Sequence, residues 1–141
     1  MAIVDSECIF CKIVAGDIPC AKVFESETVL AFLDIAPVHA GHVLVLPKDH
    51  YPTLMDLPSE LGSDLLQALS SVGKAIMETT GADGLNLMQN NHEAAGQLVH
   101  HAHFHLIPRF KDDGLRLWPQ SPYKDQDEMR KLAASIAALL K

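Results

Sequence analysis

A chain of 141 residues, 48% apolar and 21% charged, has the size and make-up of one globular domain. Its formal charge of −7 excludes a nucleic-acid partner held by general attraction to a phosphate backbone, though not a small anionic ligand in a single pocket. No apolar stretch nears the ~20 residues of a membrane-spanning helix, and the opening MAIVDSECIFCK lacks the basic-then-apolar order of a signal peptide, so a cytoplasmic location without a membrane partner is expected.

In chain order, Cys8–Ala15 is expected to be a short helix, stopped by Gly16 and followed by Pro19. Lys22–Glu25 and Val29–Leu33 are short and rich in β-branched and aromatic residues, and the polar Ser26-Glu27-Thr28 between them reads as a hairpin turn. His42–Leu46 is a third strand, entered through Gly41 and closed by Pro47. Ser59–Thr80 carries Leu65, Leu69, Val72 and Ile76 at one face of a 3.6-residue period, with Gly81 as the stop. Leu85–Gln89 and Leu98–Ile107 read as two further strands. From about residue 111 the chain turns irregular through Gly114, Pro119 and Pro122. It ends in an amphipathic helix over Asp125–Leu140, with Met129, Leu132, Ile136 and Leu140 on one face. The sum is a single α+β domain over residues 1–141, with a largely antiparallel sheet of about five strands and two main helices. No GxGxxG or Walker loop is present.

Eight histidines is a high count, and five of them lie between His92 and His105. Alternate residues of a strand share a face, so His101, His103 and His105 line one side while Ala102, Phe104 and Leu106 point into the core. Three imidazoles on one face of an apolar strand are costly without partners or a task. They can be solvated surface residues, metal ligands or catalytic groups. The odd set Cys8, Cys11 and Cys20 argues against a disulfide framework and for a metal site or buried thiols.

His101-Ala-His103-Phe-His105-Leu-Ile107 resembles the His-φ-His-φ-His-φ-φ signature (φ apolar) of the histidine triad superfamily. Phe32-Leu-Asp34-Ile35, Gly41-His42-Val-Leu-Val-Leu-Pro-Lys48, Asn90, Gly96-Gln97 and Pro108-Arg109 are similar to that family's successive blocks. With Cys8-Ile-Phe-Cys11 ahead, the likeness is to the bacterial Hint-like branch. It covers about residues 8–110.

The resemblance implies a hydrolase that cleaves at the α-phosphorus of a purine nucleoside 5′-phosphoramidate or acyl-nucleotide. His103 is then the nucleophile, nucleotidylated on one ring nitrogen while a backbone carbonyl near His101 holds the other. His105 and His42 would contact phosphate oxygens and move protons, and Gln97 would reach the phosphate region. Asp34 would accept from the ribose, Phe32 and Ile35 would wall the base, and Asn90 and Gly96 would complete the nucleotide site. Two alternatives stand beside this: a dinucleoside polyphosphate hydrolase, kept open by Pro108-Arg109, and a non-catalytic purine-nucleotide-binding protein. The second draws on Leu98, which stands where the family commonly has a hydroxyl residue. The resemblance further implies a structural zinc held by Cys8, Cys11, His50 and His101, no catalytic cofactor, and a homodimer with Leu117 and Trp118 near its interface.

Overall fold

The computed structural model describes residues 2–140. Helix α1 (Ile9–Val14) starts at Cys8, whose Sγ accepts the backbone N–H of Cys11 as an N-cap, and stops before Gly16 at φ +86°. Strands β1 (Lys22–Glu25) and β2 (Val29–Leu33) form the expected hairpin, where the Ser26 hydroxyl accepts the N–H groups of Thr28 and Val29. Then follow β3 (Val43–Pro47), α2 (Gly62–Thr80), β4 (Gly84–Gln89), β5 (Phe104–Arg109) and α3 (Gln126–Ala138). The five strands run in the order β1-β2-β3-β5-β4, every neighbouring pair antiparallel.

The period-2 alternation sorts the sheet into two faces. Val29, Ala31, Val43, Val45 and Leu106 pack beneath Leu65, Ala68, Val72 and Ile76 of α2. Burying each of the larger aliphatic side chains contributes roughly 1.5–3 kcal/mol. Leu30, Phe32, Leu44 and Leu46 face the other way, against Cys8, Phe10 and Cys11 around α1. His105 lies opposite Leu44 in the register, so it belongs to the α1 face. At Gly41 (φ +99°) a β-carbon would come within 2.7 Å of the Thr80 methyl, so only glycine lets the chain entering β3 cross the end of α2.

The fifth strand is shorter than the expected Leu98–Ile107. After β4 the chain leaves the sheet through a 3₁₀ turn (Glu93–Ala95), with His92 at φ 70° and Gly96 at φ 94°. Residues 98–103 therefore run without β4 beside them, and the Ala102 N–H bonds instead to Tyr51 O at 2.7 Å. His101 and His103 sit on this approach and only His105 in the strand. The C-terminal helix forms as expected, capped by Asp125, yet buries none of its residues. Among the described residues no helix is long and apolar enough to cross a membrane.

Candidate functional site

Four histidines lie on the α1 face, and their hydrogen bonds fix their tautomers. His103 Nδ1 lies 2.7 Å from His101 O, so Nδ1 carries the proton and donates it to that carbonyl. Nε2 is then a bare lone pair, and it has no hydrogen-bond partner among the described residues. Among the described residues no buried side-chain nitrogen or oxygen is left without a partner, so this Nε2 reaches the surface although the residue is buried. Phe10 holds the ring from the side, edge-on at 5.0 Å between centroids. Nothing in the spacing of the N-terminal segment marks Phe10 as part of the site.

His42 and His105 form a directed pair. The Val38 N–H donates to His42 Nδ1 (3.1 Å), so a neutral His42 carries its proton on Nε2 and donates it to His105 Nδ1 (3.0 Å). His105 in turn carries its proton on Nε2. The His105 and His103 rings lie 5.1 Å apart, which places a lone pair beside an N–H donor. Asp34 Oδ2 is 3.7 Å from His42 Nε2, while Oδ1 accepts the N–H of Ala36. Asp34, His42 and His105 lie close enough to share a cation, but Val38 already occupies the Nδ1 lone pair. Ligation through Nε2 would need an imidazolate, so a cation does not fit here, and the pair is a hydrogen-bond chain that ends in the His105 Nε2–H.

Burial holds His105 down to about 4, helped by repulsion from His103 and His42. Burial likewise lowers His42, which Asp34 partly offsets, and His103. All three rings are therefore neutral at pH 7. An unfolded chain binds these protons near pH ~6.5, before the folded one does, so stability is full above that value and is lost as pH falls toward 4. Urea unfolding at pH 7.5, 6 and 5 is expected to give steadily lower midpoints. Equal midpoints at pH 7.5 and 5 would refute the assignment of buried, neutral rings.

His101 belongs to a different constellation. It is fully buried, its Nε2 donates to Pro47 O (2.8 Å), and its bare Nδ1 lies 3.5 Å from Cys8 Sγ and 3.7 Å from Cys11 Sγ. His50 Nδ1 is 3.4 Å from Cys11 Sγ, with Asp5 Oδ2 at 3.8 Å from its Nε2. The four ligand atoms all lie within 4.8 Å of one another. A tetrahedron with Zn–S ~2.3 Å and Zn–N ~2.0 Å has S···N edges of roughly 3.5 Å, so the cluster fits zinc. The backbone acceptor on the second nitrogen of His101 is the usual companion of a metal-bound imidazole. The triad histidines thus face apart, His101 turning its free nitrogen to the thiols and His103 turning its own toward the surface.

The other expected residues are dispersed around this core. Phe32 is a core side chain packed edge-on against Phe10 at 5.8 Å, and Ile35 is fully exposed just beyond β2. The Asn90 amide sits beside Gly96. Gln97 departs most from expectation: it is 1% exposed, and its amide is used up within the protein. Its Oε1 accepts the His92 N–H (2.7 Å), and its Nε2 donates to Pro52 O (2.6 Å) and Val99 O (3.1 Å). That amide ties the 3₁₀ turn to the segment after β3, leaving no donor for a phosphate. Gln97→Ala is expected to cost about 2–3 kcal/mol in urea unfolding, because it orphans buried groups at both ends; a cost below ~0.5 kcal/mol would contradict this bracing role. Leu98 is 87% exposed. Arg109 is engaged too, donating through Nε and Nη2 to the two oxygens of Asp113 and through Nη1 to Asn86. Beyond His105, Met88, Ile107 and Val38 help line a cavity of about 390 Å³ bounded by Leu115–Trp118.

Known proteins resemble this chain in sequence and in fold. A family model described as the HIT domain matches residues 15–112. "Protein hit" of Bacillus subtilis is 46% identical over 137 residues, covering 94% of each chain. The adenosine 5′-monophosphoramidase hnt1 of Schizosaccharomyces pombe is 44% identical, covering 95% of this chain and 98% of its own. A solved Streptococcus mutans structure superposes with a TM-score of 0.93 at 41% identity, over all of this chain and 90% of its own. A zinc-bound histidine triad family protein from Mycobacterium smegmatis does so at 0.69 and 38% identity, over 94% and 95%.

Proposed function

The chain belongs to the HIT domain family, and from that premise we propose that it is a nucleotide hydrolase that transfers a nucleoside monophosphate to His103 and then to water. The observation that carries the reading is the 2.7 Å bond from His103 Nδ1 to His101 O, which leaves Nε2 bare and reachable beside the His42–His105 pair. In the first step Nε2 attacks the α-phosphorus in line as the bond to the leaving amine or acyl oxygen breaks. The His105 Nε2–H hydrogen-bonds the leaving atom, the His42 Nε2–H holds His105 in that tautomer, and a departing amine takes its proton from water at the mouth of the site. Water then attacks the phosphorus of the nucleotidyl-histidine, the P–N bond to His103 breaks, and the attacking water's proton goes back to solvent, replacing the one the amine took. The products are a nucleoside monophosphate and the free leaving group.

The preferred substrate class is a purine nucleoside 5′-phosphoramidate or acyl-nucleotide. Asp34 keeps one oxygen for the ribose hydroxyls, with Phe32 and Ile35 on the base side and Asn90 and Gly96 near the phosphate. Gln97 serves by holding the His92–Gln97 turn. The cavity beyond His105 accommodates the leaving group. A dinucleoside polyphosphate would want a free cation along its phosphates, and Arg109 is already paired with Asp113. Steady-state rates on adenosine 5′-phosphoramidate and on a diadenosine polyphosphate test the choice. The phosphoramidate is expected to turn over at least tenfold faster in kcat/KM, and the reverse order would reject the substrate assignment.

Cys8, Cys11, His50 and His101 would hold zinc as a closed four-ligand cross-link between α1, the segment after β3 and the approach to β5, offering no open position for substrate. A homodimer is proposed on two grounds. The edge strand β4 exposes Leu87, and Leu117, Trp118, Leu132 and Ile136 of the C-terminal segment are exposed as well. An isolated helix of this length is marginal in water without a surface to pack on.

A further inference from the structure

Resting on the reading of His103 as nucleophile and of the thiol cluster as a zinc site, we propose that Cys8, Cys11 and His50 are positioning residues that fix the catalytic tautomer of His103 through the backbone of His101. Two hydrogen-bond links connect the cluster to the reacting nitrogen. His101 uses both ring nitrogens, Nδ1 toward the two thiols and Nε2 toward Pro47 O, so its ring can neither rotate nor slide. With the side chain held at both ends, the carbonyl of the same residue is held as well, and that carbonyl takes the Nδ1 proton of His103 at 2.7 Å.

The packing ties the two rings more closely. Phe10, between the two cysteines of α1, meets the His101 ring at 5.9 Å and the His103 ring at 5.0 Å, both edge-on. The helix that supplies the thiols therefore also supplies one wall of the nucleophile. Among the described residues no other hydrogen bond reaches the His103 ring, so this carbonyl alone fixes which nitrogen carries the proton. Loss of the metal frees His101 Nδ1 and lets the carbonyl drift, and the imidazole then samples the tautomer with its proton on Nε2, which cannot attack phosphorus.

The test reads the tautomer directly. Long-range ¹H–¹⁵N correlation spectra of the His103 ring are recorded at pH 7.5 on protein loaded with zinc or cadmium, on metal-stripped protein, and on His50→Ala and His50→Cys. Loaded wild-type protein and His50→Cys, which restores four ligands, are expected to hold the Nδ1–H form alone. Stripped protein and His50→Ala are expected to add the Nε2–H form at tens of per cent. In the same samples kcat falls about 10–100-fold, the range for outer-shell partners of a site, while KM stays within about twofold. An unchanged tautomer in both stripped protein and His50→Ala overturns the proposal. Should His103 prove not to be the nucleophile, His103→Ala would stay active, whereas the tautomer shift reports on the linkage in either case.

Discussion

His103→Ala is expected to lower kcat/KM by at least about 10⁴-fold, roughly 5.4 kcal/mol of lost transition-state stabilisation. The side chain does two things that no neighbour can take over. It supplies the one triad nitrogen with an exposed, unshared lone pair, and the bond from Nδ1 to His101 O keeps that lone pair in place. His42 donates to His105 and accepts from Val38, and His105 accepts on Nδ1 and donates outward through Nε2, so neither has a bare nitrogen to replace it. Binding should survive: AMP affinity by calorimetry is expected to stay within about fivefold, because ribose and base contacts fall to other residues. A variant that keeps a tenth or more of the wild-type kcat/KM would rule out nucleophilic attack by this residue.

The second large effect concerns stability. Cys8→Ser is expected to lower Tm by at least about 10 °C and to abolish the roughly stoichiometric zinc that elemental analysis of the wild-type protein is expected to give. The serine hydroxyl can still cap α1, since Cys8 Sγ caps it through the Cys11 N–H. The loss therefore measures the metal cross-link and leaves out the helix cap. The four candidate ligands come from three separate segments, Cys8 and Cys11 at the start of α1, His50 after β3 and His101 before β5, so losing an ion held there would untie all three at once. Cys20→Ser, at a half-buried position outside the cluster, should shift Tm by only a few degrees. A Cys8→Ser protein as stable as wild type, or wild-type protein with no bound zinc, would contradict the assignment.

The sheet was legible because its signals are local. Val29–Leu33 and Val43–Val45 alternate around a hairpin or a glycine, and α2 carries its stripe from Leu65 to Ile76. The β5 boundary was not legible, because it depends on where a partner strand ends. His92 at φ 70° and Gly96 take the chain out of β4, so residues 98–103 lose their neighbour although their alternating pattern continues. The same limit explains Gln97. A glutamine next to a glycine in a polar turn gives no hint that Pro52, Val99 and His92 will surround it, since those contacts span up to 45 residues. Arg109 is similar, because its engagement by Asp113 and Asn86 arises from a turn that composition alone leaves undefined. The histidine cluster was visible in sequence. The division of labour within it emerges only from which atom each second ring nitrogen faces.

The most direct measurement of the central claim is intact-protein mass spectrometry on samples quenched in acid-free denaturant within milliseconds of mixing with adenosine 5′-phosphoramidate, followed by peptide mapping. The account predicts a burst of protein carrying one adenylyl group on the peptide containing His103, linked through Nε2, which decays as AMP appears and is absent from His103→Ala. AMP released at full rate with no adduct at any time, or with the adduct on another residue, would contradict it.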